Sequence, residues 1–157
     1  VLLDAECAWY GDPAFDLAFC VNHLLLKSLV VQGRRVELLR SARVLAEAYA
    51  RCVDWEDPGD LASRAASLLP ALLLARVDGK SPVEYLTDDR DRDFVRTVAS
   101  ALLWAPAHTV AEVLDAWATA LQAPPGPLGT RSARPLGSRS ARPLGSRSAR
   151  PLGSRSG

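Results

Sequence analysis

Methionine is missing altogether from the 157 residues. The chain therefore carries no initiator residue and is expected to be part of a longer protein. Cysteine is scarce: Cys7, Cys20 and Cys52 are an odd set with no Cys-x-x-Cys spacing. That excludes a cysteine-rich zinc site and a disulfide framework, and it points to a reducing, cytoplasmic compartment. No apolar run is long enough to span a bilayer, so no membrane partner is expected. His23 stands alone on an apolar stretch, with no second ligand at metal spacing. It is expected to be a hydrogen-bonded packing residue.

What is present divides the chain in two. Hydrophobic residues make up 48% of it, and the first 120 or so residues can build one ordinary core. All 18 acids and 12 of the 19 basic residues precede Gln122, which leaves the body at −6 and the tail at +7. From Pro127 an octapeptide repeats, Pro-Leu-Gly-Ser-Arg-Ser-Ala-Arg and close variants. A unit with one leucine, no aromatic and regular Pro and Gly cannot offset its ordering entropy, so residues 124–157 are expected to be a disordered tail. Seven arginines could hold nucleic acid through counterion release, but only nonspecifically, because no aromatic is there to stack on bases.

Residues 1–123 read as mainly α. Ala14 to about Val31 is apolar nearly all round and should lie in the middle of the domain. Val36 to Val53 is a second helix, with Arg40, Arg43, Glu47 and Arg51 on a solvated face and Glu47 placed to pair with Arg51. A third helix runs from about Asp60 to Val77, and Pro70 should kink or divide it. Ser81-Pro82-Val83-Glu84 has the form of a capping box opening a short helix through Leu86. The mixed-charge run Asp88–Asp93 precedes a helix from Arg92 to Ala105, and Thr109-Val110-Ala111-Glu112 caps a last helix to about Gln122. Trp104 and Trp117 are expected to be core anchors.

The first sixteen residues carry the chemistry. Val1 to Leu3 reads as the end of a buried strand and leads into Asp4 and Glu6. On extended backbone the two-residue period puts both carboxylates on one face. Two hard oxygen ligands side by side suit a Mg²⁺ ion that also holds phosphate oxygens. Behind them, Asp12-Pro13 makes a good helix start.

Leu3-Asp4-Ala5-Glu6 followed by Gly11-Asp12-Pro13-Ala14-Phe15-Asp16-Leu17-Ala18 resembles the metal-binding segment of the aminoglycoside phosphotransferase and choline kinase-like family. Members of that family have the protein-kinase-like fold. The resemblance implies that the chain is the C-terminal lobe of such a fold, with a short N-terminal strand remnant. It implies Asp4 as a Mg²⁺ ligand, Glu6 as a second, and Asp16 as a structural brace for a catalytic loop. The family's catalytic loop, His-Gly-Asp-x-x-x-x-Asn, precedes the metal Asp, so the catalytic Asp and the ATP-binding lobe are expected upstream of Val1. The implied activity is ATP-dependent phosphorylation of a small-molecule acceptor on an alcohol group, with this fragment inactive alone. An acidic body suits a cationic acceptor such as an aminoglycoside or an amino alcohol.

Leu74 to Leu86, with Arg76, Asp78-Gly79-Lys80-Ser81-Pro82 and Glu84-Tyr85-Leu86, resembles a second stretch of the same family. Arg76, Asp78 and Lys80 could face the cleft and contact substrate or phosphate. Alternatively they shape a loop and cap two helices, since Asp-Gly-Lys is ordinary turn chemistry. A non-catalytic helical module or a pseudoenzyme remnant with a basic tail is the competing reading of the whole.

Overall fold

The structure, a computed structural model, describes residues 10–31 and 33–123. The strand expected at Val1 to Leu3, the carboxylates Asp4 and Glu6, and the repeat tail lie outside these residues. The described part consists of five helices with no strand among them: α1 (Ala14–Val30), α2 (Arg35–Cys52), α3 (Pro58–Asp78), α4 (Asp89–Trp104) and α5 (Val110–Gln122). None is long and apolar enough to cross a membrane.

Helices α1 and α3 form the centre. α1 packs on α2 and α3, α3 packs on α4, and α5 closes the far side against α2, α3 and α4. Leu17, Val21 and Leu25 of α1 meet a core that includes Leu61, Leu69 and Leu73 of α3 and Trp117 of α5, all buried. Trp117 is held in place on two sides. Its indole N–H donates to the Ser28 hydroxyl at 3.1 Å, and Phe94 meets its ring edge-on at 5.0 Å. A buried tryptophan contributes area only if its N–H finds an acceptor, and Ser28 supplies it.

Several boundaries follow from side-chain caps. Asp57 accepts from the Gly59 N–H at 2.7 Å with Pro58 in the first turn, so α3 starts before the expected Asp60. Asp88 caps α4 through the Arg90 N–H at 2.8 Å, ahead of the expected Arg92. At α5 Thr109 caps as expected: Glu112 N–H donates to Thr109 Oγ1, while the Glu112 carboxylate takes the N–H of His108, one residue ahead of the cap.

Five expectations are corrected in whole or in part. Pro70 does not divide α3; it is buried inside one helix of 21 residues, where packing on either side offsets the bond it cannot make. Ser81 to Leu86 is not a helix. The Val83 N–H goes back to the Arg76 carbonyl at 2.9 Å and the Ser81 carbonyl accepts from Arg76, so only a turn remains, with Val83 and Leu86 buried. Trp104 is 91% exposed and anchors nothing, whereas Trp117 is fully buried. Arg43 reaches across to Asp115 of α5, while no ion pair joins Glu47 to Arg51. Nor is α1 buried all round: Phe15, Cys20 and Lys27 are exposed, and Phe19 and His23 half-buried.

Candidate functional site

The turn Gly11-Asp12-Pro13 leads directly into α1. The Asp12 carboxylate accepts from the Ala14 N–H at 2.9 Å and so caps the helix. The same carboxylate takes the guanidinium of Arg64, on α3, with Nε–Oδ2 at 2.8 Å. Arg64 also reaches Glu56 at 2.8 Å, so one arginine ties the turn to the α2–α3 connection. The bond from Arg64, with help from the Ala14 N–H, holds the Asp12 carboxyl below its usual range. Tyr49 of α2 adds a longer bond to the Pro13 carbonyl at 3.4 Å. Asp12 is thus committed to structure. Asp16, in the first turn of α1, is exposed and has no ion-pair partner among the described residues.

The second set of candidates does not converge. Asp78 is held by Arg96 of α4 through two nitrogens, at 2.7 and 3.1 Å, which lowers its carboxyl pKa. It pins the end of α3 to α4. Lys80 is exposed beyond the helix end. Arg76 turns the other way. Its Nη1 donates to the Ser81 carbonyl at 3.0 Å, and its guanidinium lies over the Phe19 ring, 5.5 Å from the centroid. Of the expected loop-shaping and capping roles, Arg76 takes the first through the Ser81 carbonyl, while Asp78 joins two helices and caps neither.

Around Arg76 lies a group that the sequence did not announce. Phe15 and Phe19 stack at 5.7 Å, Phe19 meets His23 edge-on at 4.8 Å, and His23 Nδ1 is 3.1 Å from the Tyr85 hydroxyl. The expected hydrogen bond of His23 is therefore present. Burial, then the neighbouring charges of Arg76 and Lys27, pushes His23 below its ordinary pKa. Phe15, Phe19, His23 and Lys27 recur every four residues along α1, a spacing that puts them on one face. That periodicity was available in the sequence, hidden because nearly every other position of α1 is also apolar.

Among the described residues no group of three or more His, Cys, Asp or Glu side chains could hold a metal ion. The expected Mg²⁺ ligands Asp4 and Glu6 lie outside the described residues. No family model, curated protein or solved structure matches the chain.

Proposed function

We propose that the chain supplies the C-terminal helical lobe of an ATP-dependent small-molecule phosphotransferase with a protein-kinase-like fold. The observation that carries this reading is the ordered series Asp4-Ala5-Glu6, Gly11-Asp12-Pro13 and Asp16-Leu17-Ala18, joined to a helix start that Asp12 and Arg64 anchor from two sides. The turn at Gly11 to Pro13 is fastened to α3 at the point where this series enters α1. In this reading Asp4 and Glu6 would hold Mg²⁺, whose charge would offset that of the ATP phosphates. Asp16 braces the catalytic loop, and the helices carry the acceptor side. Phosphoryl transfer depends on positioning and charge neutralisation more than on covalent chemistry, so carboxylates for a metal and a packed helical support are the parts it needs.

The test is Mg²⁺-dependent ATP binding by the protein expressed from its complete coding sequence, alongside Asp4→Ala. Binding that requires Mg²⁺ and collapses in the variant supports the reading. Binding indifferent to the substitution, or absent in both, removes Asp4 from its role and favours a non-catalytic helical module.

A further inference from the structure

Four arginines of this lobe are held in ion pairs. Arg43, Arg64, Arg92 and Arg96 each pair with a carboxylate. Arg76 and Lys27 have no ion-pair partner among the described residues, and what sets them apart from the other unpaired cations is their place: Arg76 lies over the Phe19 ring, Lys27 follows His23 by one turn of α1, and both act on His23. Arg76 also keeps a buried Nε–H with no acceptor, although such donors are seldom left unmade. These two cations flank an aromatic surface that is open to solvent, with Phe15 42% exposed and Phe19, His23 and Tyr85 half-buried.

We propose that Phe19, His23, Lys27, Arg76 and Tyr85 form a binding face for a small aromatic anion. The Phe15–Phe19 surface offers a stacking platform for a planar ring. Arg76 and Lys27 supply uncompensated positive charge for its carboxylate or phosphate, and the Tyr85 hydroxyl and the free nitrogen of His23 offer polar contacts. The face selects against cations. The net acidity of the body does not decide this, because Asp12, Asp78, Asp93 and Asp115 are all engaged by other arginines. That the ligand is the phosphate acceptor rests on the phosphotransferase reading. Its hydroxyl oxygen would then take the γ-phosphoryl group of ATP, with ADP leaving and the hydroxyl proton released.

The experiment is a titration of the full 157-residue chain, without nucleotide or Mg²⁺, followed through the histidine ring NMR signals. There are two histidines, and exposed His108 serves as the internal control. Benzoate and phenyl phosphate represent the two anion types, benzyl alcohol the neutral ring and benzylamine the cation. Saturable shifts of His23 alone are expected for the anions, with benzyl alcohol roughly tenfold weaker and benzylamine weaker still. Whichever anion binds more tightly names the group recognised. Lys27→Glu, at an exposed position that leaves the core intact, should weaken benzoate roughly tenfold, and the same charge reversal at exposed Arg40 of α2, Arg40→Glu, should leave it unchanged. Benzylamine binding as well as benzoate, shifts that never saturate, or indifference to Lys27→Glu would each overturn the proposal. Because neither nucleotide nor metal is present, those failures leave the Asp4 test standing on its own.

Discussion

Removing the Ser28 hydroxyl should cost far more than its size suggests. Ser28 and Trp117 come from helices at opposite ends of the sequence, and both are essentially sealed from solvent. The hydroxyl donates to the Leu25 carbonyl at 2.6 Å and accepts from the Trp117 indole at 3.1 Å. Ser28→Ala strands the indole N–H in the core, and an unmade bond of that kind costs about 1–3 kcal/mol. Trp117→Phe should cost about 2–3 kcal/mol, from the cavity left by the smaller ring together with the lost bond. In the Phe background the hydroxyl no longer has an indole to satisfy. Adding Ser28→Ala should then cost about 1 kcal/mol less than it does alone. The four proteins are compared by urea unfolding, with equal slopes required before midpoints are converted to free energies. Strict additivity would refute the reasoning, because it would mean that the two side chains do not depend on each other for their hydrogen bonds.

Two further outcomes follow from the helix ends. Asp12→Ala should destabilise by about 1 kcal/mol through loss of the cap on α1, with the exposed pair to Arg64 adding little. The Asp12 carboxyl is held low, so its contribution is present above the ordinary carboxylate pKa and fades as pH falls through the folded-state value. The gap between wild type and variant in urea should therefore shrink on going from neutral pH to about pH 3; a gap that widens in acid would contradict this. At Gly79 an added Cβ would sit 2.3 Å from the Ala75 carbonyl oxygen, which is backbone and cannot swing aside. Gly79→Ala should accordingly lower stability by about 1–3 kcal/mol in thermal or urea melts, and a neutral result would show that the end of α3 is looser than its geometry implies.

The helices were readable where local chemistry specified them. Thr109 and Glu112 announced α5, and the long apolar stretch after Pro13 announced α1. What was not readable was set by partners distant in sequence. Ser81-Pro82-Val83-Glu84 has the form of a helix start, but Val83 and Leu86 gain more from burial against the core than a short helix could offer. Trp104 and Trp117 are the same residue type on neighbouring helices, and only the tertiary arrangement gives one an acceptor and leaves the other in water. The ion pairs from Arg64 to Asp12, Arg96 to Asp78 and Arg43 to Asp115 span 52, 18 and 72 residues, beyond any local pattern. The candidate site divides in the same way. Asp4, Glu6 and Asp16 were suggested by motif alone, whereas the grouping of His23, Tyr85 and Arg76 required α1, α3 and the connection after α3 to meet.

That connection, residues 79–88, has no regular secondary structure, yet it is fastened along its length. Arg76 grips the Ser81 carbonyl, the Val83 N–H returns to α3, Val83 and Leu86 are buried, and Arg92 holds the Leu86 carbonyl at 2.9 Å. Segments anchored by buried contacts open only together with the helices that hold them, so this one should exchange its bonded amides with the core and resist proteolytic nicking. Tyr85 rides on it. A ligand that touches the Tyr85 hydroxyl would meet a side chain already in place, and would lose little of its binding free energy to ordering a loop.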